Sequence, residues 1–250
     1  MNELELLIDF HVDAKRQGPG SPADLELAAR LAGIDAGDLN IIDIGCGTGA
    51  STIELARDFK ANVTAVDLFP QFLSRLEQQA AALGLSDRIT TVEADMAGLP
   101  FPDASFDVVW SEGAAYNMGF AAAVAGWKRL LRPGGVMAIS EITWLTSKRP
   151  AEIHDHWSRE YPEIDSAAAK IAILQENGLS LRGFFVVSRA GWEEHYYQPM
   201  EQRLDDFLAR HEGNPISLEI VEGERREIEL FRTHRDHYGY GFYVAALDPD

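Results

Sequence analysis

The sequence predicts an α/β fold: a doubly wound, mainly parallel seven-stranded sheet with an inserted helical cap. Three observations predict it. Short apolar runs alternate with helix-period segments from residue 39 to residue 141, the rhythm of parallel strands joined by right-handed crossovers. The first run, Leu39 to Ile44, breaks into Gly45-Cys46-Gly47-Thr48-Gly49, as a buried strand does when it turns tightly into a helix. Gly45, Asp67, Asp95, Ser111 and Glu141 each fall at the carboxyl end of an expected strand, where the ligand crevice of such a sheet lies.

Each element has its own signal. Leu4, Leu7, Ile8, His11 and Val12 form a helical face, ended by the Gly/Pro-rich segment 16–22. Ser21-Pro22 opens a second helix, through Leu31, as N-cap and first helical residue. After the glycine turn, Thr52, Leu55, Ala56 and Phe59 continue a helix, and Val63 to Asp67 reads as the second strand. A helix carrying Phe72, Leu73, Leu76 and Leu83 stops at Gly84. Ile89–Glu93 and Phe106–Ser111 read as strands three and four. Phe120, Val124, Trp127 and Leu131 mark a helix ended by Arg132-Pro133-Gly134-Gly135, and Val136–Ser140 is strand five.

Beyond residue 141 the pattern loosens. Residues 142–164 show no clean period and are too long for a simple connection, so a lid or inserted cap is expected there. A helix over Ala167, Ile171 and Leu174 closes at Asn177-Gly178, and Phe184–Ser188 reads as strand six. Helices follow around Met200–His211 and from Ser217 to about Arg232, before a last strand, Tyr238–Leu247. The chain is expected to be a single domain over 1–250, with 142–165 and about 190–235 as cap and acceptor-site elements.

Composition excludes several classes of function. Of 250 residues, 46 % are hydrophobic, so a sizeable core is expected rather than disorder. Lys and Arg number 22 against 40 Asp and Glu, a net charge of −18. Such a chain lacks the basic footprint that nucleic acid or an anionic membrane surface requires. No apolar run approaches the ~20 residues that span a bilayer. The lone cysteine, Cys46, suits a reducing compartment, and a cytoplasmic location is expected. The aromatic-rich insert leaves a homodimer open.

The glycine turn admits two cofactor readings. Gly45, Gly47 and Ala50, with Asp67 about 20 residues on, satisfy a dinucleotide fingerprint, which would make the chain an NAD(P)-dependent oxidoreductase. That reading has no evident Tyr-x-x-x-Lys pair and leaves the segments at Asp95 and Asp107 without a role. The second reading starts from Asp43, two residues ahead of Gly45. With D-I-G-C-G-T-G the chain resembles the class I S-adenosylmethionine-dependent methyltransferases, a Rossmann-like fold. The likeness continues through Asp67, Glu93-Ala94-Asp95-Met96, Leu99-Pro100-Phe101, Asp103 to Val109 and Leu131 to Gly135. Within the class it looks like the small-molecule branch that includes quinone-biosynthesis methyltransferases.

The resemblance implies S-adenosyl-L-methionine as cofactor and a methyl group passed to O, N or C of a small organic acceptor. It assigns Asp67 to the ribose hydroxyls and the Asp95-Met96 segment to the adenine. The chemistry agrees: Asp67 can accept from both diol hydroxyls, Asp95 from the adenine amine, and Leu68 and Met96 can sandwich the ring. Backbone N–H groups of Gly45, Cys46, Gly47 and Gly49 suit the methionine carboxylate, and Asp43 the ammonium. Arg16 and Gln17 can fold over that end, and Ser111 is expected to touch the cofactor. Glu112 and Tyr116 are the candidate catalytic residues, facing the acceptor. Glu141, Trp144 and His195-Tyr196-Tyr197 lie nearby in sequence order. The pairs His154/His156 and His234/His237 find no third ligand at sensible spacing, so no metal is expected. A protein that binds the cofactor without transferring its methyl group is the remaining alternative.

Overall fold

The computed structural model describes residues 1–35 and 37–248. Strands β1 (Asn40–Ile44), β2 (Asn62–Asp67), β3 (Ile89–Glu93), β4 (Phe106–Glu112), β5 (Leu131–Trp144), β7 (Leu179–Val186) and β8 (Tyr238–Leu247) form one sheet in the order β3-β2-β1-β4-β5-β8-β7. A two-residue strand, β6 (Asp165–Ser166), adds to β5 off that path. Pairings among β1–β5 are parallel, whereas β8 runs antiparallel between β5 and β7. The order reverses between β2-β1 and β4, which opens a crevice at the carboxyl ends of β1 and β4.

Helices cover both faces. They are α1 (Glu3–His11), α2 (Pro22–Ala32), α3 (Ala50–Asp58), α4 (Pro70–Leu83), α5 (Phe120–Trp127), α6 (Ala151–Glu160), α7 (Ala167–Glu176), α8 (Arg189–Trp192), α9 (Gln198–Arg210) and α10 (Pro215–His234). A π-helical turn at Glu193–Tyr197 joins α8 to α9. Side chains alternate across β5. Ala138, Ile142 and Trp144 face a core shared with α1, α2, α9 and α10, while Met137 and Ile139 face one shared with α5 and α7.

The start of α2 follows its signal: Ser21 accepts from the Asp24 backbone N–H and Pro22 occupies the first turn. Two strands differ from expectation. β5 begins at Leu131 rather than Val136, because Arg132 to Gly135 is absorbed as an irregularity; its register against β4 shifts between Phe106 and Val108. β7 spans Leu179–Val186 rather than 184–188, since Arg182 and Gly183 sit at a register shift against β8 instead of ending the strand. Residues 142–164 hold the end of β5 and the helix α6, whose sole buried side chain is Ile153. That polar surface gave the sequence no apolar period. None of the helices described is long and apolar enough to cross a membrane.

Candidate active site

The glycine turn is built by its backbone. Gly45, Gly47 and Gly49 all take positive φ, at 74°, 55° and 90°. A Cβ on Gly45 would run into the Cβ of Ala114, so only glycine lets the turn pass the segment after β4. The N–H groups of Gly45 and Cys46 donate to the Val66 carbonyl at 2.8 and 3.0 Å, fastening the turn to the end of β2. Cys46 is buried, and burial above all holds its thiol well above the usual range, so it is no nucleophile.

Asp67 ends β2 beside this turn. Its carboxylate accepts from the backbone N–H of Gly47 at 2.9 Å and of Phe69 at 3.0 Å. Burial raises its pKa and these backbone donors oppose the rise. Leu68 is 55 % exposed, and Asp95 presents an exposed carboxylate with one oxygen bonded to the Ala97 N–H at 2.8 Å. Met96 is half-buried, and its carbonyl accepts from the Trp127 indole at 3.0 Å. Asp67, Leu68, Asp95 and Met96 therefore border one open surface beside the turn.

The other side of the turn is enclosed. Arg16, Gln17, Asp43, Gly45, Cys46, Ser51 and Glu112 line a narrow cleft of about 80 Å³. Gln17 clips the segment between α1 and α2 to the turn: its Oε1 accepts from the Thr48 N–H at 3.0 Å, and its Nε2 donates to the His11 and Ala14 carbonyls. Asp43 is 2 % exposed and accepts from the Thr52 hydroxyl at 2.6 Å. Burial, with the charges of Glu112 and Asp67 behind it, pushes its pKa up to about 7 against the Thr52 hydrogen bond. A positive group in the cleft would return Asp43 to its charged form.

Glu112 differs from its expected place. It accepts from Arg16 Nη1 at 3.0 Å, the Ser51 hydroxyl at 2.7 Å and the Trp110 indole at 3.0 Å. These three donors hold it on the cleft side of β4. Its partner Arg16 has a side chain only 8 % exposed, and the Arg16 Nη2 is buried without a hydrogen-bond partner among the described residues. Ser111 also departs from expectation: fully buried, its hydroxyl donates to the Ile44 carbonyl at 2.8 Å, so it ties β4 to β1 behind the turn. Tyr116, expected to face the acceptor, is 44 % exposed just past β4, with its ring edge-on to Tyr161.

Sequence reasoning named Glu141 without seeing its partner. Glu141 is fully buried at 3.8 Å from the Lys170 ammonium, and neither of its oxygens makes a normal hydrogen bond among the described residues. Lys170 sits over the rings of Phe120 and Tyr161, at 4.7 and 5.4 Å. Burial outweighs the attraction for both: Glu141 rises to about 7 and Lys170 falls. Lysine inside the Ala-rich α7 carries no sequence signal of such a role. Also missed was a polar cluster in the cap, where Glu224 lies 3.9 Å from His11 Nε2 and Glu227 accepts from the Tyr197 hydroxyl at 3.0 Å. Both carboxylates occupy the inward stripe of α10, where apolar periodicity is the only pattern visible. His154 and His156 lie on α6, and no group of three metal-ligating side chains occurs among the described residues.

The cleft fits the polar end of S-adenosylmethionine, on three features of this chain: a guanidinium nitrogen without a partner among the described residues, a carboxyl whose pKa burial pushes up to about 7, and a glycine turn. Comparison with known proteins agrees. Residues 41–135 match the family model described as a methyltransferase domain. A 27-O-demethylrifamycin SV methyltransferase of Amycolatopsis mediterranei is 34 % identical over 240 residues, 91 % of this chain and 85 % of that one. A malonyl-[acyl-carrier protein] O-methyltransferase of Pseudescherichia vulneris is 31 % identical over 80 % of this chain and 70 % of its own length. In fold, a methyltransferase from Geobacter sulfurreducens solved with S-adenosyl-L-homocysteine superposes with a TM-score of 0.83 at 19 % identity, covering 98 % of both chains. The chain belongs to the class I S-adenosylmethionine-dependent methyltransferases that act on small molecules.

Proposed function

We propose that this enzyme methylates a hydroxyl oxygen of its acceptor, and that the work is divided between a cofactor cleft and a cap. The observation that carries the reading is the Arg16–Glu112 pair. A buried guanidinium that lines the cleft is fixed by a carboxylate with three donors, and its Nη2 has no hydrogen-bond partner among the described residues. Arg16 holds the methionine carboxylate and Asp43 the ammonium; the N–H groups of Gly45, Cys46, Gly47 and Gly49, expected for the carboxylate, are instead donated to Val66, Asp67 and Cys46 within the protein. Asp67 takes the ribose hydroxyls, and Leu68, Asp95 and Met96 receive the adenine. Glu112 thus serves the cofactor, as the residue that positions Arg16, while Tyr116 contacts the acceptor. Ser111 and Cys46 shape the turn from behind.

When bound, the cofactor supplies an electrophilic methyl on a sulfonium. That methyl would pass to the acceptor oxygen, the sulfur keeping the C–S electron pair and the oxygen losing its proton to solvent. Alignment is the chief contribution of the chain, for which about 7–11 kcal/mol is available. Burial, and then the charges of Glu227 and Glu141, raise the pKa of the Tyr116 hydroxyl, so it stays protonated and orients the acceptor without acting as a base. Transfer to oxygen is supported by the two long relatives above, each an O-methyltransferase by name. The net charge of −18 supports a partner set without nucleic acid, and the single cysteine a reducing, cytoplasmic setting.

Incubation with methyl-labelled S-adenosylmethionine and a pool of hydroxylated compounds tests the reading. Label that resists acid hydrolysis as an ether is expected, at a rate that falls at least tenfold in Arg16→Ala. Label on nitrogen or carbon alone would contradict it.

A further inference from the structure

Tyr116 stands on a short segment, residues 113–120, that runs from the end of β4 into α5. At its start, the Gly113 N–H donates to the Ser140 hydroxyl oxygen at 2.9 Å. At its end, the Phe120 N–H donates to the Tyr161 hydroxyl oxygen at 3.2 Å. Gly119, with φ at 88°, passes so close to Glu163 that a Cβ there would come within 2.7 Å of the carboxylate. Between these ends the Tyr116 ring meets the Tyr161 ring edge-on, with centroids 6.2 Å apart. Attractive aromatic pairs span about 4.5–7 Å. Tyr161 therefore touches the segment twice, once through its hydroxyl and once through its ring.

Tyr161 follows the last turn of α6 and is itself buried. Its ring lies 5.4 Å from the Lys170 ammonium, whose other aromatic neighbour, Phe120 at 4.7 Å, opens α5. Lys170 and its anion Glu141 are both buried, and their 3.8 Å gap exceeds the roughly 2.7–2.9 Å of a charge-assisted hydrogen bond. A buried charge pair is a poor source of stability, since apolar side chains of similar volume often serve as well or better. What this pair supplies is a fixed place for two rings, each joined to the segment that carries Tyr116. Glu141 is faced by Lys170 from α7, by Tyr161 and Glu163 from the loop after α6, by Tyr116, and by Tyr240 and Tyr243 from β8. Asp165 adds its charge on the Lys170 side. Of these groups only Lys170 is positive, so protonation of Glu141 leaves the ammonium to the two rings.

We propose that Tyr161 and Lys170 are positioning residues for Tyr116: Lys170, anchored at Glu141, holds the Tyr161 ring, and that ring fixes where Tyr116 meets the acceptor. This rests on the reading that Tyr116 contacts the acceptor, but the coupling it claims exists with no acceptor bound. Burial above all raises the Glu141 carboxyl to about 7, so the hold on Tyr161 changes across neutral pH.

Two readouts test the coupling in the full chain. The first needs no acceptor. With 4-fluorophenylalanine in place of Tyr116, the fluorine resonance reports the surroundings of that ring and adds no titrating group. It is expected to shift with a midpoint near pH 7. Tyr161→Leu, which removes the relaying ring and keeps the charge pair, is expected to abolish that shift, and Tyr161→Phe to retain it. A shift that persists in Tyr161→Leu, or no shift in the otherwise wild-type chain, overturns the inference. The second readout uses the hydroxylated compound that wild type labels best, at saturating S-adenosylmethionine. Glu141→Gln/Lys170→Met is expected to raise its KM about fivefold, with the Kd for S-adenosylhomocysteine unchanged within twofold. In a Tyr116→Ala background the same double change should add nothing, because residues that act through one another are not additive. An equal rise in that background overturns the inference. Neither readout depends on which atom is methylated, so label on nitrogen or carbon would overturn O-methylation and leave the coupling standing.

Discussion

The two halves of the site treat their polar groups differently. Around the glycine turn most polar side chains already have their partners, the Arg16 Nη2 excepted: Asp67 two backbone N–H groups, Glu112 three donors, Gln17 both ends of its amide. In and under the cap, buried polar atoms of His11, Glu141, Trp157, Arg203 and Glu224 have none among the described residues. A half built around one invariant ligand can be organised in advance, so that binding costs little reordering. The cap leaves its polar groups open, at a cost of roughly 1–3 kcal/mol each, which an acceptor with matching groups would offset.

The largest expected effect breaks the organised half. Arg16→Ala leaves Glu112 buried beside two neutral donors and removes the contact to the methionine carboxylate. Truncating one partner of a buried, hydrogen-bonded charge pair at a binding surface costs about 2–5 kcal/mol of binding, so calorimetry should show S-adenosylhomocysteine affinity lowered at least 100-fold if Arg16 makes the proposed contact. Under the cap the corresponding change is Lys170→Met. It strands the Glu141 carboxylate and should lower unfolding free energy in urea by about 3 kcal/mol at pH 8. Glu141→Gln/Lys170→Met should recover most of that loss, because the pair makes no hydrogen bond of normal length.

A pH series sharpens the contrast. With its pKa at about 7, Asp43 in the free enzyme is largely protonated at pH 6 and ionised at pH 8. Binding an ammonium requires the ionised form, so cofactor affinity should rise about tenfold from pH 6 to pH 8. Asp43→Asn should bind more weakly and without that slope. Stability runs the other way. Asp43, Glu141 and Glu224 titrate at about 7, 7 and 8, above their unfolded values. The folded state thus holds more protons than the unfolded between about pH 5 and pH 8, and stability falls across that window as pH rises. The smallest expected effect belongs to α10: Gly223→Ala should stabilise the protein by about 0.5–1 kcal/mol, seen as a higher Tm.

How much of this was legible follows the same division. Ile89–Glu93 and Tyr238–Leu247 were read to the residue, because apolar and aromatic runs there end in clear breakers. Asp43, Asp67 and Asp95 were legible as acids at or just past the ends of β1, β2 and β3, because apolar strand runs make their own ends visible. Ser111 and Glu112 were assigned to the right strand end but the wrong surroundings. Strand alternation gives the face of a side chain, not the partners that reach it from Arg16, nearly a hundred residues earlier. The Glu141–Lys170 pair and the inward Glu224 and Glu227 were invisible as pairs, since their contacts join segments with no common period. Helix α6 was illegible for a simpler reason: it buries one side chain.

The central claim is that the cofactor half is complete without the cap's polar groups. Titration of S-adenosylhomocysteine into wild type, Arg16→Ala and the cap variant Glu224→Gln/Trp157→Phe tests it most directly. Micromolar binding should be kept within twofold in the cap variant and fall at least 100-fold in Arg16→Ala. Wild-type affinity in Arg16→Ala, or a tenfold loss in the cap variant, would contradict the account.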